Sequence, residues 1–172
     1  MAATAVWQED NGTATGSPLK GATRADANQV DWKSIDNITT PRSQSPIIAG
    51  QNSYTKYQFV KFTGTFNQIS AGKFAHTSGT LGSGVSLKGK VTSAYTTPSR
   101  SALSDAIDMS APIAINSGRD VNFSTTGPEG SAAPTLTTAG YSQYCVTQIQ
   151  TTSAAAAGDI GNQVMTFQWN EN

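Results

Sequence analysis

Few residues in this sequence could carry out covalent chemistry. His76 is the single histidine and Cys145 the single cysteine among 172 residues. A hydrolytic triad needs a base within hydrogen-bond reach of its nucleophile, and no Gly-x-Ser-x-Gly motif places a serine for His76. One histidine and one cysteine cannot complete the four-ligand shell of a zinc site. The sequence therefore predicts no nucleophilic or zinc enzyme, a structural or surface position for His76, and a buried thiol at Cys145.

Acidic residues are the remaining candidates for chemistry. QEDNGT contains Glu9, Asp10 and Asn11, and AGDIGN contains Asp159 and Asn162. Neither stretch has the alternating acidic spacing of a calcium-binding loop, and Asp, Asn and Gly are common turn formers. We interpret both stretches as turns, and we expect Asp10 and Asp159 to face solvent. A hydrolase with two carboxylates from distant positions is the least favoured alternative, because a sequence alone cannot pair such residues.

The charge of the chain argues against polyanionic partners. Eleven basic and eleven acidic residues give a net charge of zero, and charged residues make up only 13% of the chain. The lysines that come nearest to a basic segment are isolated among polar neighbours, which favours solvated strand faces. These are Lys56, Lys61, Lys73, Lys88 and Lys90. We expect no nucleic-acid partner and no cofactor.

Targeting and membrane signals are also missing from the sequence pattern. MAATAVWQEDNG lacks the basic start and apolar centre of a signal peptide, and no run of about eighteen apolar residues occurs. We therefore expect synthesis in a cytoplasm and no membrane partner.

Alternating hydrophobicity predicts β-strands along most of the chain. In residues 85–95, Val85, Leu87, Val91 and Tyr95 alternate with polar side chains, which predicts one buried and one solvated face. The aromatic stretch 54–69 predicts one long strand or two, with Gly64 at a bulge or kink. Both 144–152 and 163–169 have the strand period, and they predict a hairpin or a connection between two sheets.

The remaining segments predict turns and short elements. SALSDAIDMSA, residues 101–111, is the one helix-like phrase, and it is short. Residues 111–125 predict two short strands joined at Asn116–Gly118, and Pro128 and Pro134 predict a loop over 126–142. Together these patterns predict an all-β, antiparallel β-sandwich, Ig-like or jelly-roll-like, with at most one short helix.

The N-terminal region differs in composition from the rest of the chain. Residues 1–52 contain two turn-rich stretches around predicted strands at 4–8 and 29–35, and each strand carries a tryptophan. We expect residues 1–52 to form an extended arm on a β-sandwich domain of residues 53–172. Trp7 and Trp32 could anchor the arm to a neighbouring protein or fill the core of this domain, and the sequence favours neither.

Two parts of the sequence carry a family resemblance. NSYTKYQFVKFTGTFNQISAGKFAHTSGTLGSGVSLKGKVTSAYTTPS and QTTSAAAAGDIGNQVMTFQWNEN are rich in Ser, Thr, Ala and Gly and lack charge runs. In this style they resemble the small virion structural proteins of tailed bacteriophages. The resemblance implies a non-enzymatic protein of the virion, most simply a capsid decoration (cement) protein that stabilises the head through multivalent contacts with the major capsid protein.

A decoration role leads to further expectations about oligomer and interface. Repeated contacts of modest strength suit a homo-oligomer, a trimer or ring, on a capsid lattice. The residues expected at the partner interface are apolar side chains in or beside the arm: Trp7, Leu19, Trp32, Ile47, Ile48 and Tyr54. The alternatives are a neck, collar, tail or baseplate component, and a host-surface carbohydrate-binding module in which Tyr54, Tyr57 and Tyr95 line a groove.

Overall fold

The computed structural model describes residues 2–12, 22–24, 29–37, 40–156 and 160–172. These residues form twelve strands and two 3-10 turns (Arg42–Gln44 and Ile115–Ser117), and no α-helix occurs among them. The strands are β1 (Thr4–Asn11), β2 (Ala22–Arg24), β3 (Lys56–Thr63), β4 (Ile69–Ser78), β5 (Val85–Thr92), β6 (Ile107–Asp108), β7 (Arg119–Val121), β8 (Phe123–Ser124), β9 (Thr135–Leu136), β10 (Gly140–Ser142), β11 (Tyr144–Thr151) and β12 (Val164–Glu171). The prediction of an all-β fold is confirmed.

The strands form two antiparallel sheets that curl into a half-barrel. The large sheet has the order β2-β1-β3-β11-β5-β6. Two short strands extend it, since β10 pairs with β3 and β8 pairs with β10. The small sheet has the order β12-β4-β7, and β9 pairs with one end of β4. The antiparallel β-sandwich expected from the sequence is therefore confirmed.

The main core lies between the two sheets and follows the alternation of the strands. In β3, Val60 and Phe62 point inward, where Phe62 meets Phe123 and Phe167 at ring-centroid distances of 5.8 and 6.3 Å. Tyr57 and Phe59 have the opposite alternation in β3, and they belong to a second cluster on the other face of the strand. Because both faces of β3 are covered, nearly all of this strand is buried.

The C-terminal strands join the two sheets. β11 pairs with β3 and β5 in the large sheet, whereas β12 pairs with β4 in the small sheet. Of the two possibilities from the sequence, the sheet-to-sheet connection is the one that forms. Phe167 is buried, and Met165 and Trp169 are half-buried against the same core. Asp159, the acidic residue of the connecting loop, lies outside the described residues.

The aromatic stretch 54–69 forms two strands that separate at Gly64. β3 belongs to the large sheet and β4 to the small sheet, so the chain changes sheets between them. Gly64 has φ of +93°, a left-handed conformation that favours glycine. A Cβ at this position would lie 3.1 Å from the carbonyl oxygen of Ala2.

Three local predictions are wrong. Within the helix-like phrase 101–111 no helix forms, and Ile107–Asp108 become β6 instead because their backbone pairs with the free edge of β5. The expected hairpin at 116–118 is a 3-10 turn that leads into β7, whose partner is β4. The expected loop 126–142 contains β9, which pairs with β4, and β10, which pairs with β3 and β8. In each case long-range pairing overrides a weak local signal.

Tyr95 lies on a different face from the one predicted. Val85, Leu87 and Val91 face the main core, but β5 ends at Thr92 and Tyr95 joins the second cluster. There its ring packs 4.8 Å from that of Tyr57 and 5.8 Å from that of Tyr144. Strict alternation stops where the strand stops, which the sequence did not reveal.

The described N-terminal residues pack on the sandwich. β1 is longer than predicted and pairs with β3 from Thr4 opposite Thr63 to Asp10 opposite Tyr57. The strand predicted at 29–35 does not form. This segment is irregular, and backbone hydrogen bonds from Ser34 N to Ser45 O and from Tyr54 N to Lys33 O, both 3.0 Å, hold it in place.

Candidate functional site

An apolar groove of about 760 Å³ lies beside the N-terminal segment. Its apolar wall is formed by side chains from three parts of the chain. These are Trp32, Pro46, Ile47, Ile48, Val85 and Ile160. The side chain of Ile48 is 60% exposed, the largest exposure among the described large hydrophobic residues. The groove therefore exposes apolar surface to solvent at Ile48.

A tight turn fixes the position of Ile48. Gln51 N donates to Ile48 O at 2.9 Å, and Gly50 has φ of +81°, a value typical of the third position of a type II turn. The turn is tied to the end of β11, because Thr151 Oγ1 donates to Ile48 O at 3.2 Å and Gly50 N donates to Thr152 O at 3.0 Å. Hydrogen bonds to main-chain atoms therefore fix the backbone of the turn that carries Ile48.

A second, more polar depression of about 450 Å³ adjoins the groove. Trp32, Arg42 and Ile160 line both of them. The guanidinium Nε of Arg42 lies 3.3 Å from Asp31 Oδ1, which places a charged pair at the shared margin. The two depressions form one continuous surface with an apolar and a polar part.

The structure distributes the predicted interface residues between surface and core. Ile47 and Ile48 line the groove, with Ile47 half-buried. Trp32 is only 6% exposed, and its Nε1 donates to Thr147 Oγ1 at 3.0 Å. Trp7 is half-buried and contacts Phe74 and Phe167 edge-on, at 6.4 and 5.9 Å. The two indoles therefore form the floor of this surface, and the isoleucines form its exposed rim.

The other two predicted interface residues do not join the groove. Tyr54 is half-buried and does not line either depression. Leu19 lies outside the described residues. Tyr57 and Tyr95, which a carbohydrate-binding groove would need at the surface, are 2% and 4% exposed. Their rings pack against one another and cannot form a platform for a sugar.

A buried polar cluster was missed by the sequence analysis. Lys56 is 1% exposed, so its predicted place on a solvated face is wrong. Its Nζ lies 3.4 Å from Glu9 Oε1, 3.4 Å from Asn11 Oδ1 and 3.7 Å from Asp36 Oδ1. Glu9 and Asn11 belong to β1 and are 1% and 3% exposed, so the turn interpretation of QEDNGT is also wrong. The sequence contained one signal of this burial: in an alternating strand, Lys56 falls on the same face as the apolar residues Val60 and Phe62.

Asp10 belongs to the opposite face of the same strand. It is 1% exposed, contrary to the solvated position expected, and Tyr144 Oη donates to its Oδ2 at 2.6 Å. Burial, and then this bond to the carboxylate, raise the pKa of Tyr144 well above its usual range. Burial and the carboxylates of Asp36 and Asp10 likewise raise the pKa of Tyr95, whose Oη donates to Gly12 O at 2.6 Å.

The two residues first considered for catalysis are both buried. His76 is 0% exposed, and its Nδ1 lies 2.8 Å from Met109 O, so the ring ties β4 to the segment after β6. Burial raises the pKa of the Cys145 thiol, which keeps it protonated and unreactive. In the part of the chain that the structure describes, no three His, Cys, Asp or Glu side chains are grouped as metal ligands. No described helix is long and apolar enough to cross a membrane.

Comparisons with known proteins give no relative. No protein-family model, curated protein or solved structure matches this chain.

Proposed function

We propose that this chain is a non-enzymatic structural protein of a virion, most simply a capsid decoration protein of a tailed bacteriophage. The observation that carries the proposal is the exposed apolar groove, because a solvent-facing apolar surface of this kind is typical of a protein-binding site. The partner class comes from the resemblance of residues 52–99 and 150–172 to small phage virion proteins. A neck, collar, tail or baseplate position is the alternative within the same class.

The groove favours binding of an apolar segment of a neighbouring virion protein. Ile48 is exposed on a turn that hydrogen bonds hold to the end of β11, so its backbone loses little conformational freedom when a partner covers it. The buried floor at Trp32 gives the partner a preformed surface. A zero net charge suits a protein that coats a particle without binding the packaged genome.

The test is an Ile48→Asp variant in a binding assay with particles that lack the protein. We expect the variant to fold normally and to lose at least tenfold in affinity, because a carboxylate cannot be desolvated in an apolar contact. Ile113→Asp is the matched control, since Ile113 is 41% exposed and lies outside the groove. It should bind as the wild type does.

Cosedimentation with heads, and separately with tails, distinguishes the two virion positions. Saturation at hundreds of copies per head supports a decoration protein, whereas binding of a dozen copies or fewer supports a neck or tail component. Equal binding by the wild type and Ile48→Asp would overturn the groove as the interface. Binding to a glycan array without binding to any particle would overturn the virion proposal.

A further inference from the structure

The surroundings of the Lys56 amine differ from those of three other lysines that the structure describes. Lys73 and Lys88 pair with Asp120 and Asp108 at 2.6 and 3.0 Å, and both pairs are open to solvent. Lys33 is buried, but its Nζ makes two short bonds, at 2.8 Å to Asp31 Oδ2 and at 2.7 Å to Thr40 O. The three oxygen contacts described above for Lys56 Nζ are longer, between 3.4 and 3.7 Å. The amine therefore sits close to an amide and two carboxylates without a short ion pair.

Strand register brings the amide to the amine. Asp10 pairs with Tyr57, so the next residue of β1, Asn11, lies beside Lys56 of β3. Glu9 is two residues from Asn11 and shares its face. Asn11 Nδ2 lies 3.4 Å from the backbone oxygen of Glu9, which leaves Asn11 Oδ1 directed at Lys56. The carboxamide is thus oriented by the strand that carries it.

The surroundings exclude water from this place. On the other side of Lys56, β11 contributes Thr147, which is 0% exposed and accepts the indole N–H of Trp32. Asp36 closes a further side, since its Oδ2 accepts Gly12 N–H at 2.6 Å. Among the described residues, Asp36 Oδ1 has no hydrogen-bond partner, although it lies 3.7 Å from the amine. The amine nitrogen thus lies within 3.4 Å of the Asn11 carboxamide oxygen in a site closed to water, and such proximity favours a reaction between an amine and a carbonyl group.

We infer that Lys56 Nζ and Asn11 Cγ form an intramolecular amide bond, with Glu9 as the group that moves the protons. The Lys56 ammonium first gives a proton to the Glu9 carboxylate, which frees the nitrogen lone pair. The amine attacks Cγ, the Nζ–Cγ bond forms, and the electron pair of the carbonyl moves onto Oδ1. The electron pair on Oδ1 then forms the carbonyl again as the Cγ–Nδ2 bond breaks.

The balance of this step needs no other reactant. The nitrogen of Lys56 loses two protons in all, and both pass through Glu9 to the departing nitrogen, which leaves as ammonium. Glu9 ends as the carboxylate with which it began. No electron acceptor is needed, because no atom changes its oxidation state. The product is a covalent link between β1 and β3, and the folded chain is lighter by one ammonia.

The test is the intact mass of the full-length protein, measured under denaturing conditions after folding. We expect the wild type to be lighter than its sequence by one ammonia. Lys56→Arg and Glu9→Gln should each have the full mass of their sequences. Lys88→Arg, the matched control at an exposed lysine, should still lose ammonia.

Peptide mapping identifies the bond. A lysine in amide linkage is not cleaved by trypsin, so the peptide that ends at Lys20 should be joined to the peptide 43–61. Asn11→Asp provides a variant that stays informative if Lys56→Arg does not fold. It should form the same bond with loss of water, and its product should have the mass of the wild-type product.

Three results would overturn the inference. Full sequence mass in the folded wild type would show that the amine and amide remain separate. Loss of ammonia that persists in Lys56→Arg would point to ring closure at Asn11-Gly12, a sequence that can lose ammonia through the backbone nitrogen. Loss of water in the wild type, with peptide 43–61 joined to Asp36, would place the bond on the other carboxyl group.

Discussion

Replacement of Trp32 by Ala is the sharpest test of the division between core and rim in the groove. The sequence was compatible with Trp32 as a partner-binding residue or as a core residue. In the structure its side chain is only 6% exposed. If the indole is structural, its loss lowers the free energy of unfolding of the isolated protein. If it is a partner anchor, its loss affects binding alone.

The magnitude follows from the buried area and the hydrogen bond. A buried tryptophan removes roughly 150–250 Å² from water, which at about 25 cal/mol per Å² gives about 4–6 kcal/mol. Measured Trp→Ala changes in cores cost about 3–5 kcal/mol. Loss of the indole N–H also leaves the buried Thr147 hydroxyl without this donor. We expect Trp32→Ala to cost about 4 kcal/mol and to lower Tm by about 10 °C.

The assay is unfolding in urea, monitored by circular dichroism, and it includes two companion variants. Trp32→Phe keeps most of the ring but not the N–H, and should cost about 1–2 kcal/mol. Ile48→Ala, at the exposed rim, should change the free energy of unfolding by less than about 0.5 kcal/mol. A Trp32→Ala protein within about 1 kcal/mol of the wild type would refute the assignment of Trp32 to the core.

Two further predictions concern buried positions elsewhere. Cys145 should resist a thiol reagent in the native protein and react at once in denaturant, because it is 0% exposed and burial raises its pKa; fast native labelling would contradict this. Gly72→Ala should lower the free energy of unfolding in urea by about 1–3 kcal/mol, because the new Cβ would lie 2.5 Å from Val121 O. Gly82→Ala is the control and should be nearly neutral, since the space around Gly82 is open. Equal effects of the two changes would show that β7 can move away from β4.

The elements that were predicted well are those with long, regular alternation. β5 and β11 each have several alternating residues, and the period of two is a strong signal over that length. Strands such as β6 and β9 contain only two residues each, and their formation depends on the exposed edges of β5 and β4. A local pattern cannot contain that information, since the partner strand is distant in sequence.

The candidate site was only partly predictable for the same reason. Ile47 and Ile48 stood out as apolar residues in a polar region, and they line the groove. Lys56 and Asn11 are 45 residues apart, and only the register of β1 on β3 brings them together. A lysine in a strand is normally solvated, so the general rule predicted the wrong side for Lys56.

The proposed cross-link and the groove are connected through the chain. A bond between Asn11 and Lys56 would close a covalent loop that contains Trp32, Ile47 and Ile48, three of the residues that line the groove. For about 45 residues, loop closure removes about 4 kcal/mol of entropy from the unfolded state. The segment that lines the groove would then remain tethered at both ends to the large sheet. In that case residues 1–52 cannot be removed as a separate arm, since truncation would break the loop as well as take β1 out of the sheet.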